Sequence, residues 1–327
     1  MKYLYSGDNY YIMRRKISII ILFLAGFGFV FAQNDTSKIV LKKPMLNGHS
    51  FSTFNTTKSA FIKTYLDATM GLGSTGEIEL PGIMIGDNEI LAFSGRVAFM
   101  NVHISYQQKF NDWLALYATM NIGGRLGTSI STILVDGVNT FSGGSIGWLF
   151  RVVKKQKFQM TGNLFVKNLG GNFINLIGYV NDVIDGVPNP QVVKYVPVLN
   201  VGIGAQGAYA FNEVFGLQFS TDISYGESFN RGSSDVFSSF SLVGDMDLMP
   251  RHQIPVGFGL GYAITSNPET TYLKFIYTNI YSFKIAYTGS SDFELGFQFV
   301  YNSVQISSSL DKNPMLFKAQ LGFRFYF

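Results

Sequence analysis

The sequence predicts an all-β protein, a transmembrane antiparallel up-and-down β-barrel of about 12–14 strands. Three observations carry this. Apolar and polar residues alternate with a period of two from Ala60 to Phe327. No stretch after Gln33 reaches the roughly 18 consecutive apolar residues of a membrane-spanning helix. The polar positions of the alternating segments carry Gly, Ser, Asn and Gln with few charges, which suits a barrel interior better than the water-washed face of a soluble sandwich.

Composition agrees. The 327 residues include 31 Phe, 18 Tyr and 35 Gly, only 14% are charged, and there is no cysteine. The missing cysteine removes disulfide frameworks, thiolate nucleophiles and Cys-ligated metals from consideration.

The N-terminus reads as an export signal over residues 1–32, with Met13 as an alternative start. Arg14, Arg15 and Lys16 precede the apolar run Ile17 to Phe31, and Val30-Phe31-Ala32 supplies small-residue cleavage chemistry. Removing residues 1–32 takes four of the 25 basic and one of the 21 acidic residues, lowering the net charge from +4 to about +1. No basic stripe is left for a nucleic-acid partner. Residues 33–58 then form a polar segment expected as a plug or periplasmic tail, and 59–327 the barrel.

Along the barrel, Ala60, Ile62, Thr64, Leu66, Ala68 and Met70 share one face of the first ribbon. The pattern returns at 98–106, 114–122, 158–166, 199–205, 215–223, 283–285, 293–299 and 317–327, with weaker candidates at 132–141 and 236–243. Short turns at 109–112, 210–213 and 288–292 alternate with long connections at 72–90, 126–142, 168–197, 226–252 and 303–314, as periplasmic turns alternate with extracellular loops. Tyr106, Trp113, Tyr209, Tyr225, Tyr262, Tyr281 and Tyr287 near ribbon ends suit aromatic girdles at two bilayer interfaces. A backbone in hydrocarbon must pair every N–H and C=O internally, so such ribbons have to close.

The last segment, "MLFKAQLGFRFYF", places Phe323, Phe325 and Phe327 on alternate positions. It resembles the C-terminal signal by which Gram-negative outer-membrane barrels are recognised for assembly. That resemblance implies outer-membrane localisation, surrounding outer-membrane lipid and the barrel assembly machinery as partner. The architecture also resembles, distantly, the FadL-like transporters of hydrophobic compounds, which pair an N-terminal plug with a barrel of this scale.

Charged and polar residues on the inward positions are the candidate lumen lining: Lys63, Asp67, His103, Arg125, Arg151, Lys167, Asp222, Lys284, Glu294 and Arg324. Each could line a conducting wall or pair within a self-satisfied interior. Basic residues outnumber acidic ones there, so a conducting pore would prefer anions weakly. Gly202, Gly204, Gly257, Gly259 and Gly261 clear space on the same face, either for an inward-folded segment or for strand curvature. In "NFINLIGYVNDVID", Phe173, Ile177, Val180 and Ile184 recur every three to four residues, predicting a short amphipathic helix as gate or cap.

Other chemistries find little support. His103 and Ser105 share a face at the spacing seen in outer-membrane phospholipases, but that face is the polar, inward one, so no catalytic residues are assigned and the chain is not read as an enzyme. Asp245 and Asp247 are too few for calcium and read as solvated loop charges; His49 and His252 have no neighbouring second ligand. No cofactor or metal is implied. The expected function is a passive channel or transporter for small or hydrophobic solutes. The alternative is a non-conducting structural or accessory subunit of an outer-membrane secretion or assembly complex, with protein partners at the extracellular loops.

Overall fold

The structure is a computed structural model, and it describes residues 43–76, 78–85, 88–126, 137–174, 179, 182–191, 193–227, 234–268, 275–304 and 315–327. The export-signal stretch and residues 33–42 lie outside the described residues.

The chain enters through a small hairpin, β1 (Met45–Leu46) and β2 (His49–Ser50), turned by Asn47 and Gly48. Both turn residues have positive φ, at 49° and 83°. That backbone is what a tight two-residue hairpin demands, and Asn-Gly is the pair that adopts it at least cost. The barrel begins with β3 (Tyr65–Thr75). A hairpin of β4 (Ile78–Ile85) and β5 (Asn88–Gly95) follows as its own two-stranded sheet, outside the ring.

The remaining strands are β6 (Ala98–Lys109), β7 (Leu114–Leu126), β8 (Gly137–Lys154), β9 (Phe158–Ile174), β10 (Val193–Ala210), β11 (Phe215–Glu227), β12 (Ser234–Asp247), β13 (Val256–Pro268), β14 (Phe275–Tyr287), β15 (Phe293–Val304) and β16 (Met315–Tyr326). A four-residue helix, α1 (Met249–His252), links β12 to β13. β3 and β6 through β16 close into one ring of twelve, every neighbour antiparallel and sequential, sealed by β16 against β3 with Arg324 opposite Asp67. Of the weaker segments, residues 137–141 belong to β8 and 236–243 to β12, both within this twelve, while 132–136 lie outside the described residues.

Side-chain alternation is inverted relative to a water-soluble protein. On β16, Phe317, Leu321, Phe323 and Phe325 are exposed while Gln320 and Arg324 are buried. On β3, Met70 and Leu72 stand out at 60% and 59% exposure while Asp67 and Thr69 are buried. Leu199, Val201 and Ile203 repeat this on β10. An apolar belt of this extent is stable only against hydrocarbon. Aromatic pairs mark its edges, with Tyr262, Tyr281, Tyr301 and Phe317 in ring contact across β13 to β16, and Phe293 against Phe325 nearer the short turns.

Three expectations are corrected. Ala60 and Ile62 do not continue the outward row of the first ribbon; they precede the strand and are buried inside the barrel. The long connection expected at 168–197 is shortened from both sides, because β9 runs to Ile174 and β10 starts at Val193. Phe173 therefore sits in a strand, paired with Lys194 and Val138, and does not begin a helix. Residues 182–184 are helical and Ile184 is exposed, while Ile177 and Val180 lie outside the described residues.

Candidate functional site

Among the described residues, the inner space is where this fold brings polar chemistry together at depth, and its wall is set by the strand alternation just described. At the end with the short turns, the stretch Lys43–Lys58 runs through it. Leu46, Phe51, Ala60 and Phe61 pack with Ala208 and Ala210 of β10, and Ile62 packs with Ala115, Tyr117, Leu149 and Phe165. These apolar clusters sit inside the ring, opposite in sense to the outer belt.

Hydrogen bonds fix the stretch residue by residue. The Ser52 N–H donates to Asp245 Oδ2 at 2.8 Å, and Gln218 Nε2 donates to the Ser52 carbonyl at 2.8 Å. Thr53 gives both its N–H and its hydroxyl to Glu294 Oε1, each at 3.0 Å. Lys284 Nζ reaches the Thr53 carbonyl and pairs with Glu294 at 2.6 Å. Asn55 contacts Gln298 and Gln320, and the Thr57 hydroxyl meets that of Ser241. At the tip, Lys58 Nζ pairs with Asp222 Oδ1 at 2.9 Å and lies over the Phe165 ring. Backbone that leaves the sheet ladder must find other partners, and here the wall's Gln, Ser, Asp and Glu side chains supply them.

The glycine rows explain how the stretch fits. A Cβ on Gly259 would collide with the Phe54 ring, and one on Gly216 with His49 and Phe51. At Gly204 a Cβ would run into Asp222 Oδ1 and Asn163 Oδ1, the oxygens that gather beside Lys58.

The residues singled out from the sequence fall into distinct places. Asp67 and Arg324 are buried and paired at 2.9 Å, with the Arg324 guanidinium over the Tyr65 ring. His103 Nδ1 lies 2.6 Å from Asn121 Oδ1, and its Nε2 is 4.0 Å from Asp67. Lys284 and Glu294 form the buried pair that grips Thr53, and Asp222 receives Lys58. Lys167 follows Asn163 and Phe165 on the inward alternation of β9 and is exposed, while Lys63, Arg125 and Arg151 are half-buried.

Two readings of minor residues change. Asp245 and Asp247 are buried, not solvated loop charges: Asp245 Oδ1 lies 3.3 Å from His49 Nε2, and Asp247 accepts the Thr288 hydroxyl at 2.8 Å. His49 thus has a charged neighbour, 196 positions away in sequence, that no local spacing could reveal. Among the described residues no cluster of His, Asp or Glu fits a metal ion. Outside the strands, burial lowers the Lys43 ammonium pKa, opposed by Glu294, Asp247 and Asp292. Burial, then Lys109 and Lys154, lowers that of Lys63, and the hydrogen bond and charge of Lys109 lower that of Asp112.

A closed antiparallel ring, apolar outside and polar inside, defines the class: this chain has the fold of the outer-membrane β-barrels. Among solved structures it is similar to an outer-membrane channel from Pseudomonas putida F1, with 11% identity and a TM-score of 0.52 over 85% of this chain and 100% of that one. The translocator domain of the autotransporter NalP from Neisseria meningitidis matches at 9% identity and a TM-score of 0.46, over 83% and 90% of the two chains. A KdgM porin in complex with disordered oligogalacturonate matches at 8% and 0.40, over 80% and 99%. At 11% identity the first of these bears on the fold alone. No protein-family model and no curated protein matches the sequence.

Proposed function

We propose that the protein is an outer-membrane channel, exported by residues 1–32, that passes small or hydrophobic solutes passively when residues 43–58 shift within the barrel. Those residues act as a plug. The observation that carries this reading is the mode of attachment. The plug is held by hydrogen bonds and one lysine–carboxylate pair to wall side chains, such as Thr53 to Glu294 and Lys58 to Asp222, and by the buried side chains of Leu46 and Phe51. It adds no strand to the ring, so it can move without breaking a ladder. Each such hydrogen bond contributes about 1 kcal/mol net, so the plug is bound by many small and separately breakable terms. The polar wall charges line the pore, and Phe323, Phe325 and Phe327 address the chain to the assembly machinery.

The test is stepwise conductance in a planar bilayer. The full mature chain should give small or rare steps, and a variant lacking residues 43–58 should give larger, frequent ones. A deletion variant that inserts, keeps the heat-sensitive gel mobility of a folded barrel and stays silent would favour a structural subunit instead.

A further inference from the structure

The short-turn end carries a charge asymmetry that the channel reading does not use. The β6–β7 and β8–β9 turns bring together Lys109, Arg151, Lys154, Lys155 and Lys157, with Asp112 as the local carboxylate. Lys109 is paired with Asp112 at 2.6 Å, and Arg151 and Lys154 lie near enough for their charges to act on Asp112 as well. One carboxylate cannot balance this set. Two of the other short turns are acidic, with Glu213 at the β10–β11 turn and Asp292 at β14–β15, and the β12–β13 link carries Arg251 without a cluster of lysines.

Both tryptophans of the chain lie beside these turns, Trp113 directly before β7 and Trp148 on β8 with its ring against Phe110 of the first turn. Trp113 and Trp148 are exposed on the outer surface; Trp113 stacks on Phe150 at 6.5 Å, and Phe110 lies 5.9 Å from Trp148. Asn111 Oδ1 accepts the N–H groups of Trp113 and Leu114, each at 2.9 Å, which fixes the turn that presents the indole. Indole rings at the edge of an apolar belt sit at the level of lipid headgroups.

We propose that this patch binds an anionic glycerophospholipid of the leaflet at the short-turn, periplasmic side, with the phosphate among Lys154, Lys155 and Lys157 and the glycerol and upper acyl chain against Trp113 and Trp148. Phosphate is the headgroup group that meets several ammonium donors at once. The unbroken passage from charge to aromatic ring selects a ligand that is anionic at one end and greasy at the other, which a soluble anion is not. The site exists whether or not the barrel conducts.

The two tryptophans report on the patch directly. The full chain is reconstituted in phosphatidylcholine vesicles containing a minor fraction of lipid brominated on its acyl chains, either phosphatidylglycerol or phosphatidylcholine, and tryptophan quenching is compared at equal mole fraction. Each basic side chain near an anionic headgroup is worth roughly fivefold in local concentration, so the brominated phosphatidylglycerol should quench at least about threefold more strongly. The Lys154→Gln/Lys155→Gln/Lys157→Gln variant should lose that excess while keeping the gel mobility of a folded barrel. Should it fail to fold, Lys155→Gln alone, in the exposed turn, should reduce the excess. Equal quenching by the two lipids overturns the proposal, as does an excess that survives the substitutions. Abolition of the excess by inorganic phosphate, but not by sulfate at equal ionic strength, assigns the lysines to a free anion and overturns it too.

Discussion

At the scale of single residues, the interior depends on polar groups whose partners are far away in sequence. Alternation alone placed Glu294, Lys284, Asp67 and Arg324 on the polar face of their ribbons. What each would touch was not legible, because Arg324 and Asp67 are 257 positions apart and meet only when the ring closes. Alternation also misled at Ala60 and Ile62. It registers which residues avoid water, and in a barrel with its own small internal core both faces can do so. Two substitutions follow from the contacts. Glu294→Gln leaves the Lys284 ammonium without its counter-charge. Removing one partner of a buried pair costs about 3–5 kcal/mol, which urea titration of the folded barrel in detergent micelles should register as a lowered midpoint. Gly259→Leu drives a side chain into the Phe54 ring and should displace the plug; greater protease access to residues 43–58, with the strands still resistant, is the expected readout.

At the scale of elements, the strongly alternating strands were readable, β10 with its Gly202 and Gly204 among them, and β8 was readable only in part. β8 carries Gly143, Gly144 and Gly147 among Ser142 and Ser145, so its local pattern is faint, and its register comes from pairing with β7 and β9. The helix expected from Phe173 lost to the same force, since β9 gains ladder bonds on both sides by continuing to Ile174. Periodicity is a weak prior that tertiary pairing overrides. The plug was legible as a polar segment with cleared glycines opposite it, but not its register, which depends on side chains scattered over β11 to β16. Because the amides of Ser52, Thr53 and Asn55 donate to side chains and not to a ladder, local opening should be cheaper there than in the ring. Hydrogen exchange followed by mass spectrometry should therefore show the amides of Ser52, Thr53 and Asn55 exchanging well before those of β9. Equal protection would mean that plug and barrel open as one unit.

At the scale of the whole molecule, an outer belt that only hydrocarbon can solvate surrounds an interior filled at one end by the chain's own N-terminal stretch. The belt follows from composition and was evident from the sequence: a ring this rich in outward Phe, Leu and Val has no stable place in water. On the proposed channel reading, the filled interior makes conduction depend on where residues 43–58 sit. The contact between the hydroxyls of Thr57 and Ser241 offers a way to fix that position, and the chain's lack of cysteine makes the experiment clean. The two hydroxyls touch, so cysteines at these positions place their sulfurs side by side. The decisive measurement is single-channel conductance of Thr57→Cys/Ser241→Cys in a planar bilayer, oxidised and then reduced in place. The account predicts silence while the plug is tethered and conductance steps after reduction. Steps of the same size and frequency in the oxidised protein would contradict it.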